Sequence, residues 1–277
     1  MRNWFITGAS RGLGRAFTEA ALAAGDRVVG VARDVGPLDD LIAAAHGRLV
    51  AYPLDVADRA AVLAGVRRAT DELGRLDVVV NNAGGALLGM VEEITEAQAR
   101  AHLDVNFFGA LWVSQAVLPV LREQGSGHLL QVSSMGSSGG FASTGLYSAG
   151  KAALDAVSEA LAMEAESFGI RVTILNPGGY ETGLFTKGLT QAAPHPAYEP
   201  LRARLNEMWS AAEDFDPALA ADVVMRVVAL SDPPKRIVLG GVAFDVVRDL
   251  DAARAAEYAR WEDLSRLGDR PTAAQGR

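Results

Sequence analysis

The chain contains no cysteine. Disulfides, thiolate zinc sites and cysteine nucleophiles are therefore excluded, and the composition suits a reducing compartment. Histidine is scarce. His46, His102, His128 and His195 are scattered along the chain and show no metal-ligand spacing, so no metal is expected. Basic residues are outnumbered, 26 against 34 acidic ones, leaving a net charge of −8. That balance disfavours non-specific binding to nucleic acid. Long apolar runs are missing as well. The first one, Trp4-Phe5-Ile6, is too short for a signal-peptide core, and no later run reaches the ~20 residues of a membrane span without charges or turn residues. The expectation is a soluble, cytoplasmic protein with neither a nucleic-acid nor a membrane partner.

What the chain does have is alternation. Short apolar runs of β type alternate with alanine-rich stretches from end to end. The runs Asn3 to Thr7, Arg27 to Ala32, Leu49 to Leu54, Leu76 to Asn81, His128 to Ser133, Ile170 to Asn176 and Arg236 to Leu239 read as strands. They are mostly continuous rather than alternating in polarity, as parallel strands buried on both faces should be. Helical patterns lie between them. Gly14 to Ala24 stops at Gly25, and Asp58 to Leu73 stops at Gly74. Thr95-Glu-Ala-Gln98 is a capping-box pattern opening a long segment to about Gln124. Asp216-Pro217 is a helix start leading into Ala218 to Leu230. Repeated βα units predict an α/β fold: one doubly wound parallel sheet of about seven strands, helices on both faces, in a single domain spanning residues 1–277.

Two stretches point to chemistry. Directly after the first strand comes Thr7-Gly8-Ala9-Ser10-Arg11-Gly12-Leu13-Gly14. Glycines there permit a tight turn, close approach of a pyrophosphate to the backbone and close packing of helix on strand. The helix that follows turns free N–H groups and the positive end of its dipole toward the phosphates. The second stretch holds Tyr147 and Lys151, one helical turn apart on one face. A nearby cation favours the phenolate, and a phenol so tuned can exchange a proton with a carbonyl or alcohol oxygen. Ser134, thirteen residues upstream (147 − 134) at a strand end, has a hydroxyl suited to the same oxygen. Ser133 is its neighbour and rival, but adjacent strand residues face opposite ways and only one can serve.

These motifs together resemble the short-chain dehydrogenase/reductase family. TGASRGLG is similar to its cofactor turn, Leu54-Asp55-Val56 to its adenine-contacting stretch, and Asn81-Asn82-Ala83-Gly84 to its NNAG segment. Asn106 in DVNFFG, Ser134, Tyr147, Lys151, and Pro177-Gly178 with Thr182 complete the likeness. The resemblance implies a Rossmann fold and hydride transfer between a nicotinamide cofactor and the carbon of a small carbonyl or secondary-alcohol substrate. It implies Tyr147 as general acid and base and Lys151 tuning it while holding the ribose. Ser134 would polarise the substrate oxygen, and Asn106 would hold a water that links Lys151 to solvent. The cofactor would lie on Gly8, Ser10, Arg11, Gly12, Leu13, Gly14, Arg33, Asp55, Val56, Asn82, Ala83, Gly84, Tyr147, Lys151, Pro177, Gly178 and Thr182. A homodimer or homotetramer is implied too. The other readings are a non-catalytic cofactor-sensing regulator on the same fold, a 3-oxoacyl-type ketoreductase, and a related dehydratase or epimerase. Gly150 and Tyr180 depart from the family pattern: the first is expected to loosen a helix turn, the second to narrow the nicotinamide pocket or to pack under a lid.

Cofactor choice turns on the end of the second strand. An acidic residue there holds the ribose of NAD, but this chain has Ala32 followed by Arg33, and Arg11 lies in the first turn. Arginine offers a planar donor fork to a 2′-phosphate, so NADP(H) is preferred, with NAD(H) possible and Asp34 the residue that would favour it. Leu184 to Phe215 is long for a connection of its kind and predicts a mobile substrate lid, with Phe141, Leu146, Leu184, Phe185, Met208 and Trp209 as candidate walls of an apolar cleft. A helical tail is expected from about Asp245, its helix over Asp249 to Leu267 and its last residues, Gly268 to Arg277, frayed.

Overall fold

The computed structural model describes residues 1–210 and 213–269. In chain order β1 (Asn3–Thr7), α1 (Gly12–Ala23), β2 (Arg27–Ala32), α2 (Asp39–Ala44), β3 (Leu49–Pro53), α3 (Arg59–Leu73) and β4 (Val78–Asn81) form the first half. Then come β5 (Ala86–Leu88), α4 (Glu96–Leu103), α5 (Gly109–Gln124), β6 (Gly127–Val132), α6 (Gly145–Ala165) and β7 (Ile170–Pro177). The last part holds β8 (Leu189–Gln191), α7 (Glu199–Ser210), α8 (Pro217–Ala229), β9 (Arg236–Leu239), α9 (Gly241–Arg260) and α10 (Glu262–Ser265). Seven strands make one parallel sheet in the order β3-β2-β1-β4-β6-β7-β9. The order reverses between β1 and β4, which opens a crevice at the carboxyl ends of those strands.

The strands are read correctly as buried runs because both sheet faces are covered. Along β1, Trp4 and Ile6 enter one core with α1 and α8, while Phe5 enters the other with α3 and α5. Val78 and Val80 of β4 repeat the division against Val79. Buried polar groups at the start of the sheet find partners. The indole of Trp4 donates to Asp26 Oδ2 at 2.9 Å, and Oδ1 of the same carboxylate accepts from the Arg2 amide at 2.7 Å. Helix starts follow the expected chemistry, with Asp58 Oδ1 accepting from the amides of Ala60 and Ala61 and Thr95 Oγ1 accepting from Gln98 N.

The long segment after Thr95 is not one regular helix. A π-helical turn, Asp104–Phe108, separates α4 from α5. The stretch Glu96–Gln124 is long and apolar enough to cross a membrane by length and composition alone. Here Val113, Val117 and Leu121 pack it onto the sheet.

The connection from Leu184 to Phe215 has structure that its composition conceals. β8 pairs in parallel with β5 as a separate two-stranded sheet. Pro196 opens a 3₁₀ turn and Pro200 sits in the first turn of α7. Glu93, whose side chain is 1% exposed, accepts from the His195 amide at 2.7 Å and pairs with Arg202 of α7. At the base, Tyr180 and Phe215 form a β-bridge, Glu181 N donates to Phe215 O at 2.9 Å, and Tyr180 packs on the core. The tail also differs from expectation: α9 starts at Gly241, ahead of Asp245 and Asp249, because the turn at Gly240 (φ 105°) ends β9 and begins the helix at once. Every residue from Asp251 to Asp269 is exposed. Gly268 lies in the final turn, and the rest of the expected frayed end, from residue 270, is outside the described residues.

Candidate active site

A cleft of about 1160 Å³ lies over the carboxyl ends of the strands, and every candidate catalytic and cofactor-binding residue named above except Gly14 lines it. Gly14 works from below. A Cβ there would stand 2.2 Å from the carbonyl oxygen of Gly8, so only glycine lets α1 sit this close to the turn. Gly12 has φ 52°, and its added Cβ would meet Thr182 at 2.7 Å, so this position also admits only glycine without displacement. No side chain caps the start of α1. Its first N–H groups are left for an anion, and the cradle fits a pyrophosphate. Asn82 ties β4 to this turn: its amide nitrogen donates to Thr7 O at 3.0 Å and Gly8 O at 3.1 Å.

At the end of β2, Asp34 Oδ1 accepts from Gly36 N at 3.0 Å, within its own turn. Arg15 is taken by Glu19 and Asp40, whereas Arg11 and Arg33 pair with no carboxylate among the described residues. Asp55 likewise caps its own turn, accepting from Ala57 N at 3.0 Å.

The deep end of the cleft gathers side chains from three elements. Tyr147 and Lys151 project from the first turns of α6, and both are buried. Ser134 stands two residues past the end of β6, where its Oγ accepts from Gly136 N at 3.0 Å and its side chain hydrogen-bonds the Tyr147 phenol. Ser133 points away, its hydroxyl reaching Lys151 O at 3.4 Å. Lys151 Nζ donates to Val132 O at 2.8 Å. Asn106 lies in the π turn. Its amide nitrogen donates to His102 O at 3.0 Å, and its Oδ1 accepts from Gly85 N at 3.2 Å. Gly84 separates Asn106 from Lys151: a Cβ there would fall 2.9 Å from Asn106 Oδ1 and 3.5 Å from Lys151 Nζ. Gly150 does not break α6, and its missing Cβ would make only ordinary contacts with His102 and Leu103.

The electrostatics depart from the simple expectation for a Tyr–Lys pair. Burial raises the Tyr147 phenol above its ordinary value, with the Ser134 hydrogen bond offsetting part of the rise. The Lys151 ammonium donates to Val132 O. Burial also brings Lys151 down to about 8, against a smaller upward pull from Asp155. His102 falls to about 4, through burial first and the Lys151 charge second, and is neutral.

A second layer was not visible in the motifs. Asp155, one turn beyond Lys151, is buried. Its Oδ2 accepts from Ser137 Oγ at 2.7 Å and from Arg236 Nη1 at 2.5 Å. Asn176 Nδ2 donates to Ser134 O at 2.9 Å and Ser137 Oγ at 3.0 Å. Together they hold the turn that carries Ser134. The i, i+4 spacing of Asp155 from Lys151 was the one signal in the sequence. Ser137, in the 3₁₀ turn after Ser134, belongs to this layer. Of the apolar candidates, Phe141, Leu184, Phe185 and Trp209 line the cleft, and so does Tyr180. Leu146 and Met208 do not, and Met208 is 67% exposed. One residue before Trp209, it points about 100° away on α7.

Comparison with known proteins agrees with this architecture. The family described as short chain dehydrogenase matches residues 2–192. Oxidoreductase BOA17 of Botryotinia fuckeliana is 38% identical over 267 residues, covering 95% of this chain and 97% of that protein. A short-chain dehydrogenase from Streptomyces avermitilis has a solved structure with a TM-score of 0.90 at 40% identity, covering 97% of this chain and 100% of that one. An alcohol dehydrogenase from Thermococcus sibiricus, solved with 5-hydroxy-NADP, has a TM-score of 0.72 at 25% identity, covering 86% and 96%.

The buried ammonium has a measurable cost. With a native pKa of about 8 against ~10.4 in the unfolded chain, the unfolded state holds more protons between those values, so wild-type stability rises with pH across that window. At pH 7 the charge is destabilising. Lys151→Met is expected to melt higher than wild type at pH 7, by on the order of 2 kcal/mol, with the gap closing from pH ~8 to ~10. Thermal denaturation across that range checks this, and a Met variant less stable at pH 7 would contradict it.

Proposed function

The chain belongs to the short-chain dehydrogenase family of oxidoreductases, and from that premise we propose that it uses NADP(H) to interconvert a carbonyl and a secondary alcohol on a small, largely apolar substrate. The observation that carries this reading is the convergence of Ser134, Tyr147 and Lys151 in the same cleft as the glycine cradle. A bound nicotinamide cofactor supplies or accepts the hydride. The residues that would hold it are the first turn with Ser10 and Leu13, Asp55 and Val56, Asn82 to Gly84, Pro177-Gly178 and Thr182, with Tyr147 and Lys151 beside the ribose.

The protein's own part is proton handling and orientation. Tyr147 gives its phenolic proton to the substrate oxygen in reduction and removes one in oxidation. The Ser134 hydroxyl, fixed by its turn, hydrogen-bonds the same oxygen. A raised phenol pKa keeps Tyr147 protonated and ready as an acid. Asn106 and Lys151 meet over Gly84, where a water held between them passes protons to Tyr147 from solvent. Phe141, Leu184, Phe185 and Trp209 exclude water from the substrate. A regulator without chemistry would have no use for burying an ammonium beside a phenol.

The partial exposure of Phe107, Phe108 and Trp112, along the π turn and α5, supports assembly into a homodimer or homotetramer through that face. Sedimentation of the wild type should show a dimer or tetramer, and a monomer at micromolar concentration would refute this.

Tyr147→Phe should abolish turnover while leaving cofactor affinity intact, because the ring still packs and only the transferable proton is lost. Steady-state rates and fluorescence titration with NADPH separate the two effects. Near wild-type kcat would disprove the assignment.

Arg33, exposed and without a carboxylate partner among the described residues, is read as the donor to a 2′-phosphate. A charge-assisted hydrogen bond contributes about 1.5–3 kcal/mol, so Arg33→Ala should weaken NADPH binding by roughly ten- to hundred-fold and leave NADH nearly unchanged. The measurement is kcat/KM for both cofactors in wild type and variant. A wild type that prefers NADH would reverse the reading.

A further inference from the structure

His102 stands in the last turn of α4, four residues before Asn106, and has no part in the proton path proposed above. Both side chains are buried, His102 at 8% and Asn106 at 2% exposed. The imidazole touches two residues of the deep end of the cleft. Its Nδ1 lies 3.2 Å from Asn106 Nδ2. Its ring meets the Tyr147 ring, with centroids 6.0 Å apart and planes tilted by 56°. Its Nε2 lies over Gly150, where an added Cβ would stand 3.5 Å away.

The donors and acceptors around Asn106 leave the ring one role. Gly85 N donates to Asn106 Oδ1 at 3.2 Å, and Asn106 Nδ2 donates to His102 O at 3.0 Å, so the two ends of the amide cannot be exchanged. An amide nitrogen carries two hydrogens, and this carbonyl takes one. The other has His102 Nδ1 in reach, and a ring nitrogen accepts only when it carries no proton. Burial keeps the imidazole neutral, with one bare nitrogen. Nε2 is buried without a hydrogen-bond partner among the described residues, so the contact with Asn106 decides the tautomer and the ring proton sits on Nε2. Without Nδ1 the second amide N–H would be buried and unpaired, a cost that would turn the amide toward another acceptor.

We propose that His102 is a positioning residue for Asn106. Its Nδ1 takes the second amide hydrogen and so holds Asn106 Oδ1 at the gap over Gly84, across from Lys151. The inference rests on the carbonyl–alcohol reading above, in which protons reach Tyr147 through that gap.

Two variants separate the acceptor from the ring. His102→Phe keeps an aromatic ring against Tyr147 but has no acceptor, and Gly150 leaves room for it. His102→Asn keeps an acceptor near the place of Nδ1 and gives up the ring. With a ketone that the wild type reduces, His102→Phe should slow the single-turnover rate about tenfold, as the loss of one buried hydrogen bond warrants, with NADPH affinity unchanged. His102→Asn should recover most of that loss. In an Asn106→Ala background, His102→Phe should cost less than about twofold more, because the ring acts through Asn106. An unaltered rate in His102→Phe, an Asn variant as slow as the Phe variant, or additive losses would each overturn the proposal. Heteronuclear NMR of the wild type needs no turnover. The His102 ring should be protonated at Nε2. The Asn106 side-chain amide protons, identified by their absence in Asn106→Ala, should exchange slowly with water, and faster in His102→Phe. That result, with no ketone or alcohol turned over by wild type, would uphold the placement of Asn106 and reject the reaction. A ring protonated at Nδ1 would overturn the proposal whatever the activity.

Discussion

A positive charge stands at the bottom of the cleft where almost no water reaches it, and much of the surrounding structure answers to that fact. Lys151 is 5% exposed and its ammonium has to be met by protein. The end of β6 offers the carbonyl of Val132, Asp155 lies one turn further along α6, and Asn106 comes in from the π turn across Gly84. None of these would be in reach if β6, α6 and the helix after Thr95 were not packed in this register. The ammonium is destabilising at neutral pH, a cost the sheet and its two apolar layers outweigh.

The same region shows how a helix defect serves a site. In the π turn Asp104–Phe108 the backbone of α4 does not continue smoothly into α5. The amide of Asn106 takes the freed carbonyl of His102, so the irregular turn carries no orphan acceptor there. The other end of that amide faces Gly85 and the lysine. One side chain thus bonds the irregular turn and reaches the deep end of the cleft.

Legibility in the sequence followed the physics of each element. Continuous apolar runs between glycine-stopped helices could only be parallel strands covered on both sides, so Asn3 to Thr7 and Ile170 to Asn176 were placed within a residue. The glycine turn and the Tyr147–Lys151 spacing were legible because each is local. What depends on distant pairing was not. Three-residue strands such as Ala86-Leu87-Leu88 and Leu189-Thr190-Gln191 carry no pattern of their own and exist because they meet each other. Arg236 finds Asp155 and Asn176 only through the register of β7 on β9. Burial, the largest influence on both Tyr147 and Lys151, is likewise set by distant packing and cannot be read from a helical spacing.

The segment between β7 and α8 is moored away from the residues at the deep end of the cleft. Its attachments are the β5–β8 pair, the Glu93 carboxylate and the bridge at Tyr180 and Phe215. None of these is on β6 or α6, where Ser134, Tyr147 and Lys151 are set. The molecule is therefore modular in an evolutionary sense. Insertions, deletions or wholesale exchange of this segment would reshape what the cleft admits and leave Ser134, Tyr147 and Lys151 where they stand.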